Sequence, residues 1–329
     1  MGSNSLPHTL VSVVIPTRNR LPMLRLALSS VFRQTHTALE VIVVDEASSD
    51  GTSEWLASID DSRLIPVRHE QPKKLPAARN AGLNRARGEY IAFLDDDDLW
   101  APQKIELQLS ALASTKTVWN VSGSVVVDDS LAPTQIYPAF SPETIRRRIT
   151  VSNVVPAGGS GVMAKTSVLR DVGGFDESLV ASEDWECWIR LSAAGAVSSI
   201  PEPLVAYRRA PGSMSHDLQR METSYYQVRA LHGSLPASDE REARRVRSRY
   251  YARQLFLSGR RLDAARALAD RRSAKPLDFV LAFGLLIAPR SWEKITYLIR
   301  RRLTDRSPLE VPWLGAVRDQ VESNTFFIA

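Results

Sequence analysis

Asp95, Asp96, Asp97 and Asp98 form an unbroken carboxylate run directly after the β-rich segment Tyr90-Ile91-Ala92-Phe93-Leu94. Four carboxylates at the end of a buried strand repel one another and lose hydration, so positive charge has to compensate them. A divalent cation is the simplest compensator. Hard ions such as Mg²⁺ or Mn²⁺ prefer oxygen ligands and take one or two protein carboxylates when phosphates supply the rest. The run therefore points to a metal and diphosphate site at the carboxyl edge of a sheet. Two plainer readings compete with it: a solvated acidic turn, and an Asp98 N-cap for the helix that Pro102 opens. A second acidic pair, Glu183-Asp184, sits where a helix begins, and the helix dipole alone would favour carboxylates there. Asp45-Glu46 likewise end a strand, and read structurally they only enter a turn.

The elements around these residues follow from hydrophobic spacing. Val11–Ile15 is a short β-branched strand closed by Pro16, and Leu21 to Phe32 repeats apolar residues at helical spacing. Strands at 40–44, 64–67 and 90–94 follow, separated by helices that Asp50-Gly51 and Pro76 open. Strands that are apolar throughout, alternating with helices, imply an α/β chain with a mostly parallel, Rossmann-like sheet covered on both faces. Ligands bind such sheets beyond the carboxyl ends of the strands. Here those ends carry Pro16-Thr17-Arg18-Asn19, Asp45-Glu46 and the aspartate run. Further on, a helix over 102–113 and a strand or strand pair over 118–127 are expected. Arg146-Arg147-Arg148 fall on a helix, and Gly158-Gly159-Ser160-Gly161 is expected as a flexible loop feeding a strand at 162–164. Ser182 suits an N-cap for the helix carrying Glu183-Asp184. Trp185 and Trp188 on that helix either line an acceptor pocket or belong to the core.

The chain has 329 residues, 44% hydrophobic and 24% charged, which is the composition of a globular protein with room for a sizeable core. A single cysteine, Cys187, excludes an internal disulfide and fits a reducing, cytoplasmic setting. The N-terminus lacks the apolar segment of a signal peptide. The net charge of +5 conceals an asymmetry: 21 Lys and Arg face 25 Asp and Glu over residues 1–217, but 21 face 12 over 218–329. The last third is therefore a separate, basic, helical surface. A hairpin around Gly259 resembles a single tetratricopeptide unit, and the apolar stretch from Phe279 to Ala288 is far shorter than the roughly 20 residues that cross a bilayer. No zinc finger, aromatic RNA-binding motif or recognition helix accompanies the arginines, which argues against nucleic acid. An anionic membrane surface suits them better, at about 1 kcal/mol for each Lys or Arg near the lipid. Exposed apolar faces on the tail helices would suit a homodimer.

Eight segments in order carry a resemblance to a known family: Val-Ser-Val-Val-Ile-Pro-Thr-Arg-Asn at 11–19, Gln34-Thr35, Val-Ile-Val-Val-Asp-Glu-Ala-Ser-Ser-Asp-Gly-Thr at 41–52, Ala78-Arg79-Asn80-Ala81-Gly82, Gly88-Glu89-Tyr90, Phe93-Leu94 with the aspartate run, Gly174-Phe175-Asp176-Glu177, and Glu183-Asp184-Trp185. Together they resemble the family 2 glycosyltransferases of the GT-A fold, over roughly residues 10–217. The resemblance implies a GT-A domain at 10–217, with a nucleotide-binding half at 10–100 and an acceptor-binding half at 101–217. A disordered terminus or tag remnant at 1–9 would precede it, and a basic all-helical region at 218–329 would follow. It also implies that Pro16, Thr17, Arg18, Asp45 and Glu46 hold the nucleoside and that Arg79 meets the nucleotide or its diphosphate. Asp96 would lie near the ribose, and Asp95 and Asp97 would be the DXD pair, with Asp97 the leading ligand of Mn²⁺ or Mg²⁺. Asp184 would be the catalytic base of an inverting transfer, with Glu183 beside it. His216 would be a further candidate metal ligand. Glu46 stands where the family usually has a second Asp, which bears on the identity of the base, with uracil favoured. The implied partners are a nucleotide diphosphate sugar donor and a glycan, lipid-linked or small-molecule acceptor, with the enzyme at the inner face of the membrane.

Two other classes remain open on the residues alone. A sugar-phosphate nucleotidyltransferase would want a glycine-rich loop after the first strand, where Pro16-Thr17-Arg18-Asn19-Arg20 has none. A membrane-surface or nucleotide-binding protein without transferase activity would use the basic tail and leave the carboxylates idle.

Overall fold

The computed structural model describes residues 8–208, 217–270, 274–287 and 311–323. Residues 1–7 of the expected disordered terminus and His216 lie outside the described residues. Thr9 is held in place, its carbonyl 2.9 Å from the His36 ring. Contacts divide the chain into two units, one of residues 1–149, 154–210 and 310–329, the other of 150–153 and 211–309.

In the first unit, β1 (Val11–Thr17), β2 (Leu39–Asp45), β3 (Leu64–Arg68) and β4 (Tyr90–Phe93) pair in parallel in the order β3-β2-β1-β4. The crossovers are α1 (Leu21–Phe32), α2 (Thr52–Ser58) and α3 (Leu75–Arg85). β1 and β2 are buried at every position, their mostly apolar sequences interrupted by Ser12 and Glu40, which hydrogen-bond to each other at 2.5 Å. Gly82 lets α3 settle on β1, since a Cβ there would lie 2.3 Å from a Val14 methyl. Because these strands run the same way, Thr17, Asp45 and the residues after Phe93 emerge at one edge.

The sheet continues from β4 through β8 (Val162–Lys165), β6 (Trp119–Val127), β9 (Val197–Arg208) and β5 (Leu99–Trp100), with β7 (Pro133–Tyr137) on β6. β8 is antiparallel to both its neighbours, whereas β6 and β9 are parallel. Residues 119–127 form one long strand. The first half of the sheet is wholly parallel, and the second half combines the long parallel β6–β9 pair with antiparallel ones.

Three local expectations change. Gly158–Gly161 is a buried single turn of 3-10 helix rather than a flexible loop. Asp98 does not cap the next helix, because α4 (Lys104–Thr115) begins after Gln103 and the Asp98 side chain is turned inward. Ser182 precedes α5 (Glu183–Ala194) with φ of 59°, away from the extended geometry a side-chain cap needs, and makes no capping bond. The Asp184 carboxylate accepts from the Trp185 N–H instead, at 2.7 Å. Trp185 and Trp188 are core residues: the Trp185 indole donates to the Ile149 carbonyl, and Trp188 stacks on Trp119 with ring centroids 6.3 Å apart.

The boundary expected at 218 also shifts. The helix α6 (Pro312–Glu322) belongs to the first unit. Its apolar face and the residue before it, Val311, Leu314 and Val317, pack with Leu99, Val125, Val127 and Ala206, and the Trp313 indole donates to the Pro203 carbonyl at 2.9 Å. An apolar stripe on this helix finds the sheet face that β5, β6 and β9 leave uncovered.

The second unit is helical, with its main helices at Leu218–Leu231, Ala237–Leu257, Arg261–Leu268 and Pro276–Ile287. Ala252, Ala264, Ala265, Leu268 and Ala282 form its core. Arg249 pairs with the buried Asp278 at 2.6 Å, and Arg247 lies over the rings of Tyr225 and Tyr226. Among the described residues no helix is long and apolar enough to cross a membrane.

Replacing Leu314 by Ala should leave a cavity against the sheet and cost about 2–5 kcal/mol of first-unit stability. The check is chemical denaturation of the full chain followed by Trp fluorescence.

Candidate active site

Each of the four aspartates has a different set of partners. Asp98 is fully buried, accepting from the Ser160 hydroxyl at 2.6 Å and from the Arg208 N–H at 3.0 Å. Asp96 accepts from the Thr17 hydroxyl at 2.8 Å and from Arg20 at 3.1 Å. Asp97 accepts from the same Arg20 guanidinium at 2.9 Å, and Asp95 pairs with Arg79 at 2.6 Å. The Asp98 N–H returns to the Asp95 carbonyl at 3.0 Å, and that tight turn sends neighbouring carboxylates in different directions.

The compensating positive charge expected from sequence is therefore partly supplied by arginines. It falls short of the carboxylates present. Burial pushes Asp96 up to about 7, with Arg20 and Thr17 pulling the other way. Burial and then the charge of Asp95 raise Asp97, and burial followed by Asp97 and Asp95 raises Asp98 well above the usual carboxylate range. Asp95 and Asp97 offer the hard oxygen donors that a small divalent cation takes alongside phosphate, so the residues fit such an ion. Among the described residues no cluster of three or more His, Cys, Asp or Glu side chains forms a metal site on its own.

Arg79 is the centre of the arrangement. It is buried, bonds Asp95 with one terminal nitrogen and Glu183 with the other at 2.7 Å, and lies 5.4 Å from the Phe175 ring centroid. The charges of Asp95, Glu183 and Asp184 hold it protonated against the cost of burial. Both ends of its fork are engaged by carboxylates. The next residue, Asn80, donates to the Phe175 carbonyl and accepts from the Phe175 N–H, both at 2.8 Å. The segments 78–82 and 174–177, remote in sequence, thus meet in space.

Asp184 lies beside this centre on the first turn of α5. Burial first, then the charge of Glu183, pushes it up to about 6, with Arg79 opposing. The turn at 158–161 closes against it. Gly158, at φ of +51°, would place a Cβ 2.9 Å from an Asp184 oxygen, and a Cβ on Gly159 would lie 3.1 Å from the Arg79 guanidinium. Behind the turn, the Trp100 indole donates to the Ser160 carbonyl at 2.9 Å and Gln108 donates to the Gly161 carbonyl at 3.0 Å. Lys104, fully buried, donates to Gln108 at 2.6 Å and sits 3.9 Å from the Trp100 ring centroid.

At the β2 end, Asp45 accepts from the Ser48 N–H at 2.9 Å and from the Ser53 hydroxyl and Arg68, both at 2.6 Å. Burial works against the charge there, but the Ser48 and Ser53 hydrogen bonds hold Asp45 below its usual range. Glu46 bonds the His69 ring and accepts from the Lys73 and Lys74 N–H groups. Its longer side chain thus anchors the segment entering α3. Pro16 is buried in β1, and Arg18 is exposed beyond it. Arg20, Ser160, Asn80 and Arg208 were not read from sequence as site residues; their partners lie 62 to 110 positions away.

Comparison with solved structures fits this architecture. The mannosyltransferase PcManGT of Pyrobaculum calidifontis, solved with GDP-Man and Mn²⁺, aligns with a TM-score of 0.56 at 22% identity, covering 95% of this chain and 87% of that one. The fold is that of the GT-A glycosyltransferases. Residues 12–173 match the model of glycosyl transferase family 2. An uncharacterized glycosyltransferase of Rickettsia conorii is 29% identical over 223 residues, 65% of this chain and 35% of that protein. The UDP-Glc:alpha-D-GlcNAc-diphosphoundecaprenol beta-1,3-glucosyltransferase WfgD of Escherichia coli is 27% identical over 209 residues, 63% of this chain and 79% of that one. The chain is thus similar to glycosyl transferase family 2 over its first half. It spans about a third of the length of several curated relatives it matches.

Replacing Arg79 by Met should leave Asp95 and Glu183 facing each other without a cation and cost about 3–5 kcal/mol. Thermal unfolding of the full chain reads this, and Arg79→Lys should recover only part of the loss because an ammonium cannot fork between two carboxylates.

Proposed function

We propose that the protein transfers a sugar from a nucleotide diphosphate donor to an acceptor hydroxyl by single displacement with inversion, and that Asp184 is the general base. The observation that carries this reading is the Arg79 bridge. It holds the end of β4, where the aspartates stand, within one guanidinium of the α5 turn that carries Glu183 and Asp184. A hydroxyl attacking the anomeric carbon must lose its proton, and a carboxylate raised to about 6 accepts one with little loss of ionised form at neutral pH. The neighbouring Glu183 keeps its place through Arg79 and orients the turn.

Asp95 and Asp97 would hold a Mn²⁺ or Mg²⁺ ion, which when bound would neutralise charge on the departing nucleoside diphosphate. On the donor side, Thr17 and Asp96 line the end of β1, and Asp45 stands at the end of β2. A uracil-containing donor is favoured, in line with the UDP-Glc in the name of the Escherichia coli relative. The GDP-Man bound by the Pyrobaculum enzyme makes guanine the alternative to test. The acceptor is proposed to be a glycan or lipid-linked saccharide.

A panel of nucleotide sugars, followed by nucleoside diphosphate release with Mn²⁺ and with a chelator, tests the reading. Asp184→Asn should lose transfer by at least about a hundredfold while retaining donor binding. In the wild type the rate should fall as pH drops below about 6, because a protonated Asp184 carboxyl is far too weak a base to take the hydroxyl proton. A flat profile between pH 5 and 8 would assign the base elsewhere.

For the helical unit we propose contact with an anionic membrane surface at the cytoplasmic face. Its support is the basic excess over residues 218–309 together with Leu277, Val280 and Phe283, exposed on one helix. The full chain should bind anionic vesicles at low salt and release them at high salt. Equal binding to neutral vesicles would remove this part.

A further inference from the structure

Among the described residues, Arg20 is the one cation that touches both Asp96 and Asp97 through a single nitrogen, at 3.1 and 2.9 Å. Its backbone is fixed. Asn19 donates its N–H to the Ser48 hydroxyl at 2.9 Å and accepts from the Ser49 N–H at 2.8 Å, and the Leu21 N–H donates to Asp50 at 2.9 Å. The Arg20 carbonyl accepts from Met23 and Leu24 at the start of α1. The side chain, by contrast, is 45% exposed, and its only described partners are the two aspartates. A long side chain with an anchored root and a solvated head can change partners without disturbing the fold.

The two carboxylates differ in what they would lose. Asp96 keeps the Thr17 hydroxyl when the guanidinium leaves. Asp97 has Arg20 as its closest described side-chain partner, and Asp97 is the proposed ligand of the divalent ion. A half-exposed ion pair contributes about 0–1 kcal/mol, well within what a doubly charged ion and a diphosphate can displace.

We propose that Arg20 is an exchangeable internal counter-ion. Without ligand it occupies Asp97 and keeps the aspartate turn in shape. A divalent cation competes with it for that carboxylate, and the displaced guanidinium then faces the donor's phosphate oxygens, which its fork suits. This rests on the metal-dependent reading above and adds a residue that couples metal loading to donor loading.

Calorimetric titration of the full chain with Mn²⁺ alone, without nucleotide, tests it. Arg20→Met should bind Mn²⁺ more tightly than wild type by up to about fivefold, the loss of one weak competing ion pair. The same variant should bind nucleoside diphosphate in saturating Mn²⁺ more weakly than wild type. Arg20→Lys preserves the charge and the fold, and should lie between the two on both measurements. If wild type binds Mn²⁺ and both variants bind it no better, the counter-ion role fails while the metal reading stands. If none of the three binds Mn²⁺ and donor turnover is indifferent to chelator, both fail.

Discussion

A single buried guanidinium sets the geometry on which the site depends. Charged groups out of water cost several kcal/mol each unless they are paired and hydrogen-bonded, so Arg79 can stay where it is only with Asp95 on one side and Glu183 on the other. Those carboxylates come from the end of β4 and the start of α5, regions almost 90 residues apart in the chain. Electrostatic necessity thus joins the parallel strands to the acid-bearing helix. Asn80 adds a second join one residue later, holding Phe175, whose ring meets Phe93 and Trp188 edge-on.

The turn at 158–161 is the other half of this geometry. Its front supplies glycines where any side chain would press on Asp184 or Arg79, and the Ser160 hydroxyl reaches Asp98 while accepting from the Asp95 N–H. Its back is held by carbonyl acceptors facing Trp100 and Gln108. Lys104, whose charge burial disfavours strongly, finds its compensation in the Gln108 oxygen and the Trp100 ring rather than in a carboxylate. A buried polar network of this kind tolerates little slack, since each unsatisfied member carries its full desolvation cost.

Much of this was legible in the chain. Apolar strands ending in polar residues are local patterns, so β1, β2 and β4 and the edge where they deliver Thr17, Asp45 and Asp95 could be read directly. The roles within the aspartate run could not. Four identical residues differ only by which way a turn sends them, and that is decided by Thr17, Ser160 and Arg208 at distant positions. The same reason hides Arg20, an ordinary surface arginine until Asp96 and Asp97 fold against it. Glu46 illustrates a third case: its extra methylene was visible, but its use in anchoring residues 69–74 depends on a loop with no pattern of its own.

The placement of α6 alters how the chain should be divided. Residues 211–309 lie between segments of the first unit in sequence, so the helical unit is an insertion and not an appendage. Cutting the chain after residue 217 to isolate a catalytic fragment would also discard the helix that shields Leu99, Val125, Val127 and Ala206. A fragment meant to keep this core closed has to retain residues 311–323 as well.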